Sequence, residues 1–170
     1  MTTLYTPETA SARQRQDEQA IRALTERYTD AVNQRDWAAL RDCWSADATW
    51  DLGAPVNLVK TGVDAIVAEA RHAVEAMDLF VQMTHAGVIL RLDQDSARAR
   101  WTLNEIGRIK ADQRALLGGV DGMNILATYT DELVREADGR WRFARRSYRV
   151  ALFDGHAPAG DVVTAAPTSA

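Results

Sequence analysis

The sequence has one cysteine, three histidines, four prolines and no long apolar run, and each scarcity removes a class of protein. Cys43 alone cannot close an internal disulfide, and His72, His85 and His156 stand at no metal-ligand spacing from one another or from the cysteine. No structural metal is expected. No stretch approaches the roughly 20 apolar residues needed to span a bilayer. Met1 to Gln16 also lacks the cationic start and apolar centre of a secretory leader, so the chain reads as cytoplasmic with no membrane partner. Positive charge is not in excess either: 20 Lys plus Arg stand against 24 Asp plus Glu, a formal net charge of −4. The surface as a whole supplies no phosphate-binding field, and nucleic acid is not an expected partner.

What is present suits one compact domain. The 170 residues are 46% hydrophobic, and a chain of this size buries roughly 70% of its unfolded surface, enough for a core that also encloses a pocket. Residues 1–16 and 155–170 read as tails around a domain at 17–154, the second tail being rich in Ala, Pro and Thr without periodicity. From Asp17 to Val32, the residues Ile21, Leu24, Tyr28, Ala31 and Val32 recur near every 3.6 positions and lay one apolar stripe along a helix. Asp36 is placed to cap a short second helix carrying Trp37, Leu40 and Trp44. A third runs from Val63 to Met77 with Ile66, Ala70, Ala73 and Val74 on its face.

The texture then becomes extended over Leu79 to Leu92, Ser96 to Lys110, Met123 to Glu136 and Arg140 to Phe153. Ala97, Ala99, Trp101 and Leu103 alternate with Arg98, Arg100, Thr102 and Asn104, which predicts a strand with one face inside and one in water. Asp93-Gln94-Asp95 and Asp138-Gly139 supply turns. Helices first and then a meander of long strands predict an α+β fold, three helices packed on an antiparallel sheet. Ala111 to Asp121 is a longer connection, readable as a pocket lid or as a plain loop.

His85 draws attention because an imidazole near pKa 6.5 trades protons at neutral pH, and a strand would hold it firmly. A carboxylate on its other nitrogen would fix the tautomer. Asp30 is the candidate, although nine residues of helix place it about 180° from Ile21, away from the apolar stripe. Tyr28 could donate to a developing oxyanion or be a core tyrosine. Trp50, Trp101 and Trp44 offer flat apolar walls for a ring, whereas Trp37 and Trp141 read as core. Arg145 and Arg135 could hold an anionic group or serve as surface ion-pair partners.

These pieces together resemble a known family. Arg27-Tyr28-Thr29-Asp30-Ala31-Val32-Asn33-Gln34-Arg35-Asp36-Trp37, then Cys43-Trp44-Ser45-Ala46-Asp47-Ala48-Thr49-Trp50, then Thr84-His85, and finally Tyr129-Thr130-Asp131-Glu132-Leu133 before Asp138-Gly139-Arg140-Trp141, are similar to the SnoaL-like branch of the NTF2-like superfamily over about residues 17–153. The nearest motifs are those of lindane dehydrochlorinase and the scytalone and bile-acid dehydratases. The resemblance implies a cone of three helices on a strongly curved, mostly antiparallel sheet. It also implies an Asp-His pair inside that cone, with helix one turning Asp30 toward His85 despite the wheel.

The implied activity is that of a cofactor-independent lyase or isomerase abstracting a proton from a hydrophobic cyclic or aromatic substrate. The same superfamily also implies two alternatives, a polyketide-type cyclase and a non-catalytic binding or scaffold subunit. Two departures stand out. Leu103-Asn104-Glu105-Ile106-Gly107 lacks the second pocket histidine of the scytalone type, and Asp51 falls one residue early for a steroid-isomerase base, which turns it to the other face of its strand. The family also implies a homodimer or homotrimer through the sheet face bearing Arg98, Arg100 and Thr102.

Overall fold

The computed structural model describes residues 5–160, apart from the side chains of Leu116 and Leu117. The first helix, α1, spans Ala12–Gln34 and begins earlier than its apolar stripe. Ser11 and Gln14 form a reciprocal capping box, the Ser11 hydroxyl accepting from the Gln14 amide and the Gln14 side chain from the Ser11 amide. That cap satisfies orphan donors in a polar stretch where hydrophobic periodicity is silent. Part of the expected N-terminal tail is therefore helix, and Tyr5 ahead of it is tied down through its hydroxyl to Glu18 and its amide to the Leu90 carbonyl.

Asp36 accepts from the Ala39 amide and starts α2, Trp37–Asp42. The helix stops there: Trp44 opens strand β1, Trp44–Leu52, where helical spacing had put it on the second helix. Strand β2, Leu58–Thr61, returns antiparallel to β1 and leads into helix α3, Val63–Glu75. Four long strands follow, β3 at Met77–Leu92, β4 at Ser96–Ile109, β5 at Gly122–Arg135 and β6 at Trp141–Asp154. The order across the sheet is β2-β1-β6-β5-β4-β3, with β1 and β6 parallel and every other pair antiparallel. No helix among the described residues is long and apolar enough to cross a membrane.

The core lies between the helices and the concave face of the sheet. Ile21, Leu24, Leu40 and Ile66 meet Leu103, Tyr129, Leu133 and Phe143, all essentially buried. Each such side chain contributes about 1.5–3 kcal/mol by leaving water. On β4 the inward series Ala97, Ala99, Trp101 and Leu103 continues to Glu105, while Arg98, Arg100 and Thr102 face outward.

One irregularity determines what β3 presents. Thr84 pairs with Leu103 and Gly87 with Trp101, so β3 carries one residue more than β4 across that interval. This β-bulge takes His85 and Ala86 out of the alternation, and both are exposed. Gly87 is required beside it, because a Cβ there would lie 2.1 Å from Trp101 Cε3. Of the long connection at 111–121, Arg114–Leu117 forms one 3-10 turn. Of the expected C-terminal tail, residues 155–160 lie along the sheet, with the Ala157 amide donating to Asp121; positions from 161 fall outside the described residues.

Candidate active site

The cone holds a cavity of about 200 Å³ that opens to solvent on one side. Its walls come from α1 (Tyr28, Val32), β1 (Trp50, Leu52), α3 (Ala70, Ala73, Val74) and the inner faces of the long strands (Phe80, Gln82, Glu105, Ile125, Tyr129, Tyr148). The lining is mainly apolar and aromatic, the usual character of a small-molecule site. Among the described side chains, none of residues 111–121 lines it.

A buried acid sits in this lining. Glu105, 8% exposed, accepts from the Tyr148 hydroxyl at 2.6 Å on one oxygen and from Gln82 Nε2 at 2.7 Å on the other. Burial raises the Glu105 pKa above that of an ordinary glutamate, outweighing the two hydrogen bonds, which favour the anion. Gln82 also donates to the Tyr129 hydroxyl at 2.9 Å. Its own backbone is gripped by Asn33 of α1, whose side chain accepts from the Gln82 amide at 2.7 Å and donates to its carbonyl at 2.8 Å. Burial likewise raises the pKa values of Tyr129 and Tyr148, so both stay phenols and keep their donors. Tyr28 is raised for the same reason, against the pull of the Arg146 charge.

Beneath the tyrosines lies a fixed cation. Arg146, with no exposed surface, stacks against Tyr28, Tyr129 and Phe143 at 4.2, 4.0 and 3.9 Å from the ring centroids. Burial works against its charge, but the two 2.8 Å bonds to Asp131 more than compensate and raise its pKa above the ordinary arginine value. Asp131 also accepts from Trp101 Nε1 at 3.0 Å. A buried pair this well bonded, flanked by ring faces, holds the floor of the cavity in one arrangement.

Of the residues named from sequence, Tyr28 and Trp50 line the cavity. Asp30 and His85 do not, which corrects the expectation that they meet inside the cone. Both are exposed, and they share a separate, open depression of about 470 Å³ along the seam of α1 and β3, without a hydrogen bond between them. The helical wheel is obeyed at Asp30, and His85, three residues on from inward Gln82, falls on the outward phase of β3 at the start of the bulge. Trp101 is a wall of that outer depression rather than of the cavity, while Trp44 is core packed against Tyr28, Trp50 and Phe143. Arg145 pairs with Asp51 on the outer face, and Arg135 pairs with Asp17 beside the Trp141 ring. Neither arginine reaches the cavity, because Arg145 follows an outward register and Arg135 ends its strand.

Glu105, Gln82, Tyr129 and Tyr148 are the residues that sequence reasoning passed over. A signal for the first did exist: carrying the Ala97-Ala99-Trp101-Leu103 alternation one step further puts a carboxyl on the buried face. Among the described residues no group of His, Cys, Asp and Glu could hold a metal ion.

Three helices on a six-stranded, curved and unclosed sheet, with a hollow between, define an NTF2-like cone. The chain belongs to the SnoaL-like domain family, which matches residues 13–147. Solved structures agree in fold. Kfla4162 from Kribbella flavida superimposes with TM-score 0.72 at 20% identity, covering 82% of this chain and 94% of its own. The hexachlorocyclohexane dehydrochlorinase LinA-type3 of Novosphingobium barchaimii gives 0.71 at 20%, covering 92% and 100%. A scytalone dehydratase-like protein of Novosphingobium aromaticivorans gives 0.70 at 18%, covering 88% and 95%. No curated protein matches the sequence.

Proposed function

We propose that the protein is a lyase or isomerase that moves a proton on a small hydrophobic cyclic molecule held in the cone, with Glu105 as the acid-base group. The observation that carries this reading is a single carboxyl buried against an apolar cavity, with its pKa raised and its geometry held by Tyr148 and Gln82. A carboxyl tuned upward exchanges protons near neutral pH more effectively than a surface one. Ionised Glu105 takes a proton from carbon beside a carbonyl, and the C–H electron pair moves into an enolate. The proton then returns at another carbon, or the pair expels a β-substituent and Glu105 gives its proton to the departing group or to water. An apolar wall excludes water from the carbanion-like state. The dehydrochlorinase and dehydratase names among the structural neighbours are compatible with this class of chemistry.

The experiment is wash-out of α-protons from cyclohexanone in deuterium oxide, followed by proton NMR. The protein accelerates exchange, and Glu105→Gln slows it by about two to four powers of ten. Exchange unchanged in that variant would contradict the role.

A second reading keeps the proton at His85, oriented by Asp30, and rests on their sharing one depression beside Trp101. In the same assay, loss of exchange in His85→Ala with Glu105→Gln still active would select it. Ring closure, as in a polyketide-type cyclase, would appear in product analysis, and binding without any exchange would leave the scaffold reading. Association into a dimer or trimer belongs to the proposal too, supported by exposed Val81, Met83 and Leu126 on the outer face of the sheet and tested by sedimentation.

A further inference from the structure

Away from the cone, one face of α1 and the turn between β5 and β6 border an open hollow of about 450 Å³. Arg13, Asp17, Ala20 and Arg27 follow one another at helical steps of four, three and seven, so they share that face, and the small Ala20 in the middle leaves the space. Arg135, Arg140 and Trp141 border the other side. Four arginines and a single carboxylate thus line one hollow, on a chain whose formal net charge is −4.

The carboxylate is already committed. Asp17, 5% exposed, pairs with the Arg135 guanidinium and accepts from Trp141 Nε1 at 3.4 Å. Arg135 is itself held over the Trp141 ring, 4.7 Å from its centroid, and donates to the Gln94 carbonyl at 3.2 Å. Three cations remain with distant counter-ions or none. Arg13 lies 3.9 Å from Asp17, Arg140 lies 3.8 Å from an exposed Asp42, and Arg27 has no ion pair among the described residues. The acids of the turn itself are taken up by Arg142, which bonds Glu136 and Asp138. These three arginines are exposed, so their long arms can swing to a ligand. Their field reaches the hollow whichever way each points, because screening acts over about 8 Å at physiological ionic strength.

We propose that this hollow binds an oligophosphate, a role that owes nothing to the chemistry of the cone. A guanidinium fork takes two phosphoryl oxygens at once. Arg13 and Arg27 stand fourteen residues apart on α1, roughly 21 Å along the helix axis. A ligand drawing on both must carry charge along its length, as a phosphate chain does and a lone phosphate or carboxylate does not. Among the described residues Ala20 and Trp141 are the only apolar side chains on the walls, and Trp141 is buried, so an acidic peptide finds little to anchor its side chains.

Phosphorus-31 NMR titration of the full chain at low salt, without divalent cations, tests the site with tripolyphosphate as probe. Tripolyphosphate binds at least about tenfold more tightly than orthophosphate and weakens as salt is added. Arg27→Gln and Arg140→Gln each lower its affinity about fivefold and leave Tm and ketone exchange unchanged, whereas Arg98→Gln on the outer face of the sheet changes it by less than about twofold. ATP is the second arm. Affinity equal to or above that of tripolyphosphate identifies a nucleotide tail as the source of the chain, and weaker affinity identifies the free chain; either upholds the site. No binding of tripolyphosphate at about 1 mM, equal losses in Arg27→Gln and Arg98→Gln, or displacement of the probe by a lower concentration of tetraglutamate or of a DNA duplex would overturn it.

Discussion

Gln82 and Glu105 face each other in register across β3 and β4, and Gln82 Nε2 donates to Glu105 Oε1 at 2.7 Å. The pair joins the helix to the acid: Asn33 of α1 fixes the Gln82 backbone, and the Gln82 side chain fixes the carboxyl. A carboxyl held from two sides on rigid strands meets the positional demands of proton transfer better than one on a loop.

The raised pKa of Glu105 makes stability depend on pH. The folded state binds this proton more tightly than the unfolded chain, where glutamate titrates near about 4.3. Its contribution is therefore complete below that value and is lost as pH rises through the folded pKa. Scanning calorimetry from about pH 4 to about pH 8 should show the wild-type Tm falling relative to Glu105→Gln over this window. A constant difference between the two proteins would count against a raised pKa.

The same shift places the basic form at higher pH, so exchange of ketone α-protons should climb through the Glu105 pKa and level off above it. A rate flat across the range, or one tracking a histidine and lost in His85→Ala, would move the chemistry to the outer depression. His85→Ala is otherwise expected to change exchange by no more than about twofold, as suits an exposed side chain away from the cavity.

Breaking the buried cation's pair should be severe. Asp131→Ala leaves Arg146 charged and uncompensated among three rings and should destabilise the protein by about 3–5 kcal/mol in urea unfolding. Asp131→Leu combined with Arg146→Met should recover much of that loss, because both charges leave together. A single variant as stable as the wild type would show that the pair holds nothing in place.

Gly87→Ala tests the bulge. The added methyl meets the Trp101 ring and the Arg100 carbonyl, so a loss of about 1–3 kcal/mol is expected. Smaller effects would mean that the strand can move away from the ring.

Much of this architecture is written in local pattern. The stripe through Ile21, Leu24 and Tyr28, the cap at Asp36 and the alternation along β4 each follow from one short-range rule, and the long strands lie within a few residues of their expected limits. The site is less legible because it depends on non-local register. His85 is off the inward phase that Gln82 sets on β3, a phase visible only once Gln82 is seen in register with Glu105. Asp30 shows the converse: the wheel placed it correctly, and the likeness to an Asp-His family pulled it inward. Glu105 lay within reach of the alternation, yet its partners Gln82 and Tyr148 come from different strands that only the folded sheet brings together.

The central claim concerns one proton on one carboxyl, and carbon-13 NMR of side-chain carboxyls, with Glu105 identified by its absence in Glu105→Gln, measures it directly. The account predicts a resonance that titrates above the ordinary glutamate value of about 4.3 and moves when cyclohexanone fills the cone. A resonance titrating at or below that value, and indifferent to the ketone, would contradict it.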